Sequence, residues 1–476
     1  MADNNSPTRW LVPSLSQWLW LVLLLVLLAQ PWRTMMVASD GDAHMHWRVG
    51  DWMLEHKQII RHDEFSYTRA GAPFIAMEWL SELLLAAAGR AGGLFGLSVL
   101  AALVIATTFA LLHWRLVRDG NDLLVATALT LLAAWAACMH WHARPHVFSF
   151  LMLLLWHECV RRVERGARPW LLAAVMALWV NLHGGFLAGF FVLGAYWLGA
   201  LRDAAKLRRL SGAALLCAGA VLLNPSGWRL PWHNLQFLRS EFLLNSLAEY
   251  ASMDFQSREA RGFLAWLAVL FVTLAWRRPR LSAGESLVLV SWTAFALYSQ
   301  RNIPLMVVLT APLIAPALSA AVGERWRALS ARLGGDKCGW PVVAVLTCAA
   351  VVCVAHPTEL PRDRWPVAAV EHIRAHPSEF SGPMFNDYLW GGYLLKALPE
   401  QKVFVDGRTD FYGEALIRDY FAVSELRTNW LATLKRYDAR WTLLPRRSRL
   451  NQALAELPGW HCVYDDGVAV IYRRLP

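Results

Sequence analysis

S-D-G-D-A-H-M-H-W-R-V-G-D-W, residues 39–52, comes directly after the first long apolar run of the chain. This short segment places two aspartates, Asp40 and Asp42, close to two histidines, His44 and His46. Ionisable groups at the edge of a hydrophobic segment are costly to keep there, and they commonly mark a functional site. The role of this stretch therefore depends on which side of a membrane it lies and on what lies beside it.

The same stretch predicts an amphipathic helix of about four turns at the membrane surface. Asp40 and Asp42 stand at its start, where a carboxylate can also cap free N–H groups and complement the helix dipole. A capping role and a chemical role are therefore both open for the two acids. The apolar residues of the predicted helix recur at i, i+4, i+7 and i+8, at Met45, Val49, Trp52 and Met53.

The composition predicts an α-helical, polytopic membrane protein. Of the 476 residues, 56% are hydrophobic and 17% are charged, whereas soluble chains usually carry about 25% charged residues. The apolar residues form runs of the length that crosses a bilayer, roughly 20 residues each. About eleven spans are predicted, at about 16–38, 93–114, 122–139, 146–160, 169–182, 185–201, 211–224, 262–276, 283–299, 302–321 and 339–356.

The basic loops predict the orientation in the membrane. Cytoplasmic loops carry an excess of Arg and Lys, so the N-terminus is expected inside and the region from about 357 outside, which is the periplasm or cell exterior of a bacterium. A signal peptide cleaved before Asp40 is an alternative for the first run, and it would leave this orientation unchanged. The same loops account for the net charge of +10, so no nucleic-acid partner is expected, and a basic site for an anionic lipid or nucleic acid is the alternative. The Arg/Lys-rich loops fall on alternate turns, at 161–168, 202–209, 277–280 and 324–337.

With this orientation, every outer helix mouth carries a polar motif, which indicates one composite site. The motifs are a long first loop at about 40–92, M-H-W-H-A-R-P-H (139–146), N-L-H-G-G (181–185), N-P-S-G-W (224–228) and Q-R-N (300–302). Glu78 has a second interpretation as an acid at a helix start, and His183 as part of a helix break at its glycine pair. The candidate binding residues are His46, Glu78, Arg144, His146, His183, Arg301 and Asn302.

The tail, 357–476, is predicted to be a small soluble α/β domain outside the membrane, following a transmembrane domain at 1–356. Strands are predicted at S-G-P-M-F-N-D-Y, at K-V-F-V-D (402–406) and at R-W-T-L-L-P, with a final hairpin around an Asp-Gly turn. D-G-R-T-D (406–410) follows a predicted strand end, where ligands often bind. Asp406 and Arg408 are thus candidate acceptor contacts, and a turn with a structural Asp–Arg pair is the alternative.

These motifs together resemble the GT-C superfamily of integral-membrane glycosyltransferases, which includes protein O-mannosyltransferases, lipid A aminoarabinose transferases and oligosaccharyltransferases. The resemblance covers nearly the whole chain, and the order and sidedness of the motifs carry it more than any one motif. The motifs are D-G-D-A-H-M-H-W-R-V-G-D-W, H-D-E-F-S-Y-T-R-A-G-A-P-F-I-A-M-E-W-L-S-E, A-R-P-H, N-L-H-G-G, N-P-S-G and V-F-V-D-G-R-T-D-F-Y-G.

The resemblance implies a sugar donor on a polyprenyl phosphate, used at the outer leaflet, and a hydroxyl acceptor on a glycan, lipid or protein. It also implies that an acid after the first span is the catalytic base, which corresponds to Asp42 or Asp40. Related families often have the two acids adjacent, whereas Gly41 separates them here. Both aspartates therefore remain candidates for the base.

The residues themselves suit this chemistry. A carboxylate can take the proton of an attacking hydroxyl, and a single base without a covalent intermediate predicts inversion. Arg144, His146 and Arg301 are suited to a lipid phosphate, because Arg binds phosphate through two parallel hydrogen bonds. A divalent metal such as Mg²⁺ or Mn²⁺ is an open cofactor, and its candidate ligands are Asp40, Asp42, His44 and His46.

Two other functions remain open from the sequence. One is a flippase or transporter of lipid-linked glycans, although transporters usually place their charged sites near the bilayer midplane. The other is an O-antigen ligase-like or polymerase-like enzyme, which also releases a polyprenyl phosphate but does not need the acidic start of the first loop.

Overall fold

The computed structural model of the protein describes residues 11–39, 41–333 and 339–475. It is mostly helical, with a small sheet near the C-terminus. The helices of the first part are α1 Leu15–Leu28, α2 Trp32–Ala38, α3 Asp42–His56, α4 Trp79–Arg118, α5 Leu123–Ala137, α6 His146–Glu164, α7 Trp170–Leu182, α8 Leu187–Gly199, α9 Ala204–Val221, α10 Arg229–Arg239, α11 Glu241–Ser246, α12 Arg261–Val272, α13 Ala283–Tyr298, α14 Ile303–Ser319, α15 Glu324–Leu333 and α16 Trp340–Val354.

Among the described residues, three helical segments are long and apolar enough to cross a membrane: Trp79–Arg118, Leu123–His140 and Gln300–Ser319. Four shorter apolar helices accompany them, at Trp170–Leu182, Gly184–Gly199, Ala283–Tyr298 and Trp340–Val354. The predicted run 16–38 is not one straight helix, because α1 and α2 meet at 67°. Pro31 stands at this bend, where a residue without an N–H group cannot continue the helical hydrogen bonds.

The helix predicted after the first run is confirmed as α3. Met45, Val49 and Met53 are buried, as the spacing predicted, and Trp52 is half-buried. The backbone of α3 lies directly against α4, because a β-carbon on Gly50 would overlap the carbonyl group of Glu82. This close packing places the start of α3 beside the start of α4, and both starts carry acidic residues.

The C-terminal part contains one four-stranded sheet. Its strand order is β1-β2-β4-β3, with β1 and β2 parallel and the other two pairs antiparallel. The strands predicted at S-G-P-M-F-N-D-Y and in the final hairpin are confirmed. Its elements are α17 Val367–Ala375, β1 Met384–Asn386, α18 Tyr388–Ala397, α19 Thr409–Ser424, α20 Trp430–Arg436, β2 Trp441–Pro445, α21 Arg449–Ala455, β3 Trp460–Asp465 and β4 Ala469–Arg474.

The prediction of a strand at K-V-F-V-D (402–406) was wrong. This segment makes a single bridge, between Val403 and Ser66 of the first outer loop. The Val403 amide donates to Phe65 O at 3.1 Å, and Asn386 Oδ1 accepts from the Phe404 amide at 2.7 Å. Its backbone groups are therefore satisfied by the first loop and by one side chain rather than by a neighbouring strand.

The buried apolar residues form two cores. One lies between the apolar helices and contains residues such as Phe109, Trp156 and Trp266. The other joins the C-terminal sheet and helices to α3 and to the first outer loop, through Met45, Phe65 and Phe74. The segment predicted as the first outer loop thus packs into the core of the tail.

Candidate active site

One cavity of about 440 Å³ lies between the helix ends that carry the polar motifs and the C-terminal part. The polar mouths that the sequence singled out line it together, although they are far apart along the chain. The predicted residues in its wall are Asp42, His46, Glu78, Arg144, His146, His183, Arg301, Asn302 and Arg408. His44 and Asp406 do not line this cavity, and Asp40 lies outside the described residues.

Short 3₁₀ turns between consecutive helices position these side chains. One turn, Cys138–His140, precedes α6, and another, Gln300–Asn302, leads into α14. A third turn, Gly184–Phe186, is capped by His183, whose Nδ1 accepts the Gly185 amide at 3.0 Å. Such tight turns keep the polar residues at the helix ends, so their side chains reach the cavity rather than the surrounding lipid.

Two arginines and two carboxylates form a continuous network along the cavity wall. Arg144 Nη2 lies 2.8 Å from Asp42 Oδ2 and 3.6 Å from Glu249 Oε2. Arg301 Nη1 lies 2.7 Å from Glu249 Oε1 and donates to the Tyr250 hydroxyl at 2.6 Å. We call Asp42, Arg144, Glu249 and Arg301 the cavity network.

The electrostatics of this network favour its charged form. Burial alone would raise the pKa of Glu249, but Arg301 and Arg144 outweigh it and lower the pKa to about 2. Glu249 is therefore ionised throughout the physiological range and holds both guanidinium groups at the cavity. The network presents cationic side chains to a ligand while the protein alone stays close to neutral there.

The second acidic group in the cavity surrounds His46. Its Nδ1 lies 3.2 Å from Glu82 Oε1, and its Nε2 lies 3.6 Å from Glu78 Oε2. Burial raises the pKa of Glu78 to about 7, since a charged carboxylate is poorly solvated there. Within the described part of the chain, these three residues form the one group of His, Cys, Asp or Glu side chains with the spacing of a metal site.

The metal ligands predicted from the sequence are arranged differently. Only His46 is common to both sets, and the ring of His44 packs against Trp365 and Tyr393, with ring centroids 5.7 and 5.6 Å away. One imidazole and two carboxylates suit a divalent cation such as Mn²⁺. The donor set at His46, Glu78 and Glu82 therefore fits the predicted divalent metal, although the ligands differ.

His183 lies between the cavity network and the group formed by His46, Glu78 and Glu82. Its Nδ1 accepts from the Gly185 amide, and Ser149 Oγ lies 2.7 Å from the same nitrogen. Burial lowers the pKa of His183 well below its usual range, so the ring is neutral, and its Nε2 lies 3.3 Å from Arg301 Nη2. The same nitrogen lies 3.4 Å from Glu78 Oε1, and both residues line the cavity.

The C-terminal part closes the cavity with the segment that follows Asp406. Gly407 lies against the Asp42 carboxylate so closely that a β-carbon at Gly407 would overlap Asp42 Oδ1. Asp410 Oδ2 lies 2.8 Å from His233 Nε2, which joins α19 to α10 across the cavity rim. The tail thus contacts the first candidate base directly.

Asp406 and Arg408 belong to a buried ion cluster behind this segment. Arg408 Nη1 binds Asp63 Oδ1 at 2.7 Å, and its Nη2 binds Asp406 Oδ2 at 2.6 Å. The Tyr412 hydroxyl donates to Asp406 Oδ2 at 2.7 Å. We call Asp63, Asp406, Arg408 and Tyr412 the clasp, because it joins the first outer loop to the tail.

The fold can be compared with solved structures once this arrangement is known. An archaeal oligosaccharyltransferase, AglB from Archaeoglobus fulgidus, in complex with an inhibitory peptide and a dolichol-phosphate, matches with a TM-score of 0.62 and 11% identity over 97% of this chain and 74% of its own. ArnT from Cupriavidus metallidurans bound to undecaprenyl phosphate matches with a TM-score of 0.56 and 15% identity over 99% of each chain. The chain has the GT-C fold.

The resemblance to GT-C glycosyltransferases is therefore confirmed at the level of the fold, and the chain is a multi-pass membrane protein. No protein-family model matches the chain, and no curated protein does. At these identities the likeness shows the fold alone. The roles of individual residues in this GT-C chain depend on its own cavity.

The sequence analysis missed three residues of the GT-C cavity. Glu82 stands four residues after Glu78 in E-W-L-S-E, a spacing that puts both side chains on one face of a helix, so this pair was detectable. Glu249 gave no comparable signal, whereas Asp410 belongs to the motif D-G-R-T-D, in which the sequence analysis singled out only Asp406 and Arg408. Glu249 lies in a loop without a distinctive motif, and Asp410 is brought to the cavity only by the packing of the tail.

Proposed function

We propose that the protein is a membrane glycosyltransferase that moves a sugar from a polyprenyl-phosphate-linked donor to a hydroxyl group of a glycan, lipid or protein. The observation that carries this proposal is the contact of 2.8 Å between Asp42 and Arg144 inside the cavity, with Arg301 on the same wall. A carboxylate and two guanidinium groups are the side chains that a hydroxyl nucleophile and a phosphate leaving group require.

The reaction is proposed to take place at the outer face of the bacterial cytoplasmic membrane. This placement supposes about eleven spans at 1–356, an N-terminus inside and a tail at 357–476 outside. The distribution of Arg and Lys among the loops supports it. Polyprenyl-phosphate sugars would then enter from the outer leaflet, and the tail would cover the cavity from the aqueous side.

The base in this proposal is Asp42, with Asp40 as the alternative. The carboxylate takes the proton of the acceptor hydroxyl while that oxygen attacks the anomeric carbon. The bond between this carbon and the phosphate oxygen breaks, and the polyprenyl phosphate leaves with the electron pair. A single displacement of this kind inverts the anomeric centre.

The arginines of the cavity network are proposed to bind the donor phosphate. Arg144 is paired with Asp42, and a phosphate that takes over Arg144 would release Asp42 from that ion pair. Donor binding would thereby prepare the base for the acceptor. Glu249 keeps both guanidinium groups in position before the donor arrives.

The remaining predicted residues are proposed to shape the donor site. His146 Nε2 donates to His140 O at 2.7 Å, and Asn302 Nδ2 donates to Phe295 O at 3.1 Å, so both stabilise the turns at the mouth. His46, Glu78 and Glu82 would hold a divalent metal, which when bound supplies positive charge to a phosphate. The predicted acceptor contacts of Asp406 and Arg408 stay predictions.

The test is sugar transfer from a panel of radiolabelled polyprenyl-phosphate sugars in membranes, with wild type, Asp42→Asn and Asp40→Asn. The control is Asp254→Asn, which changes an exposed acid in the fourth outer loop. We expect transfer by wild type and a loss of about 10²–10⁴-fold in one of the two aspartate variants, the usual value of a general base. Equal transfer by all variants would exclude both acids as bases, and no transfer from any donor would contradict the proposed reaction.

A further inference from the structure

A second, smaller pocket of about 60 Å³ lies at the far ends of α4 and α6 from the cavity. Each of these helices starts at the cavity, at Glu82 and His146, and ends at this pocket, at Arg118 and Arg162. In the proposed orientation this end faces the cytoplasm. The pocket is therefore separate from the donor site.

Arg115 is the unusual residue of this pocket. It is only 5% exposed, and its Nη1 and Nη2 are buried with no hydrogen-bond partner in the part of the chain that the structure describes. Only its Nε lies near an acid, 3.3 Å from Glu158 Oε2. A buried guanidinium with two unused nitrogen atoms is costly unless a ligand supplies acceptors.

The neighbouring charges leave the pocket with a positive excess. Arg162 binds Glu158 at 2.8 Å, so this acid is shared between two arginines. Asp119 lies 3.1 Å from Arg161. Three arginines and two carboxylates line the pocket, which leaves a net charge of about +1 that a single phosphodiester would neutralise.

The side of the pocket towards the middle of the helices is apolar and open. Trp114 is 48% exposed and Leu155 is 37% exposed, and both line the pocket. Arg118 stacks over the Trp114 ring at 4.9 Å, which holds its charge at the level of the indole. An interfacial Trp beside Arg residues at a helix end is the arrangement expected at a lipid headgroup.

We propose that this pocket binds the headgroup phosphate of an anionic phospholipid, with Arg115 as the main donor and the acyl chains along Trp114 and Leu155. Arg offers two parallel N–H groups to a phosphate, which would satisfy Nη1 and Nη2. Basic pockets between transmembrane helices on the cytoplasmic side bind anionic headgroups in this way. The bound lipid fixes the inner end of α6, whose outer end carries His146, and the part of α4 that follows its break at Gly92 and Gly93.

The test measures lipid retention by native mass spectrometry of the purified full chain in detergent, with phosphatidylglycerol and phosphatidylcholine of the same acyl chains. The variants are Arg115→Met and Arg118→Gln, and Arg165→Gln is the matched control, an exposed arginine on the adjacent loop. We expect wild type and the control to retain more phosphatidylglycerol than phosphatidylcholine. Arg115→Met should lower this retention about a hundredfold, the effect of losing two charge-assisted hydrogen bonds.

Arg118 is exposed, so Arg118→Gln leaves the fold intact and tests the pocket even if Arg115→Met is poorly folded. Equal retention of both lipids by wild type would overturn the proposal. So would unchanged phosphatidylglycerol retention in Arg118→Gln and in a folded Arg115→Met, or its loss in Arg301→Gln, which would assign the lipid to the cavity. In a further arm, inorganic phosphate is added to wild type at the same concentration as the lipid. If the phosphate displaces the lipid, the pocket is a site for free phosphate and the lipid proposal is overturned.

Discussion

The cavity network and the clasp use the same residue types in opposite ways. In the clasp, Arg408 is 4% exposed, and its guanidinium donates to Asp63 and Asp406 while aromatic rings cover its faces. In the cavity network, the Arg144 and Arg301 side chains are 19% and 30% exposed and border open space. In the clasp each of the three guanidinium nitrogen atoms binds an acidic residue, whereas the arginines of the cavity network border space that a ligand can enter.

This difference separates a structural ion pair from a binding one. A buried pair with saturated hydrogen bonds contributes mainly when it is intact, since removing one partner strands a buried charge. A partly open pair exchanges its partner for a ligand at little cost, because solvent and ligand both reach it. The clasp and the cavity network lie on either side of Gly407. The clasp therefore keeps the tail in place against the cavity network.

The largest expected effect is on the clasp. Arg408→Met leaves Asp63 and Asp406 buried without their cation, and we expect the free energy of unfolding to fall by about 3–5 kcal/mol. The measurement is the thermal unfolding midpoint of the purified chain in detergent. The control is Arg418→Met, which removes an exposed arginine from the same helix and should change the midpoint little.

The opposite outcome for Arg408→Met would sharpen the comparison. A variant that unfolds at the wild-type temperature but no longer transfers sugar would show that Arg408 serves the acceptor, as the sequence analysis first considered. The clasp would then be part of the binding site rather than its support.

The second effect concerns the contact between the tail and the base. Gly407→Ala would place a methyl group where Asp42 Oδ1 lies, and the carboxylate must move. A displacement of about 1 Å costs on the order of a hundredfold in rate, so we expect kcat to fall by this factor while the KM for the donor changes little. Steady-state transfer assays measure both constants.

The matched control is Gly212→Ala in α9, where a β-carbon meets no neighbouring atom. An unchanged kcat in Gly407→Ala would mean that the reacting carboxylate is not Asp42. The same result would favour Asp40 as the base.

Local patterns predicted much of this molecule. The helix at 42–56, the hairpin at the C-terminus and the polar helix mouths follow from periodicity, turn residues and sidedness, which are all encoded within short segments. Even the cavity was foreseeable in outline, because hydrophobic helices leave few places for polar residues.

The pairings between distant segments were not predictable. Asp63 and Arg408 are 345 residues apart, and no local pattern links them. K-V-F-V-D has the β-branched residues of a strand, yet its backbone partners come from the first loop. Glu249 acquires its role only because Arg144 and Arg301 converge on it from two other loops.

The third effect is on donor binding in the cavity network. Arg301→Gln removes a cation from the proposed phosphate site while Arg144 still balances Glu249. We expect the KM for the donor to rise on the order of tenfold, the loss of one charged hydrogen bond, with little change in the unfolding midpoint. The control is Arg258→Gln, which changes an exposed arginine in the loop before α12. A large loss of stability with unchanged kinetics would make Arg301 a structural residue like Arg408.

The smallest effect is the pH dependence of the rim pair, His233 and Asp410. Burial alone would lower the pKa of His233, but its hydrogen bond with Asp410 raises the pKa above the ordinary value of about 6.5. The opposing shift lowers the pKa of Asp410. The ion pair therefore stabilises the contact between α10 and α19 at pH values between the pKa of Asp410 and the pKa of His233. This contribution is lost as the pH rises through the raised pKa of His233.

We expect the unfolding midpoint of wild type to fall by roughly 1–2 °C above neutral pH relative to His233→Gln, because the pair is partly exposed and its contribution is screened. His356→Gln, which changes an exposed histidine at the start of the tail, should keep the wild-type slope. Parallel pH profiles for wild type and His233→Gln would show that the rim is held by the clasp alone. A residual slope in His233→Gln is expected from the cavity, where burial raises the pKa of Glu78 to about 7 and that of Glu82 to about 8.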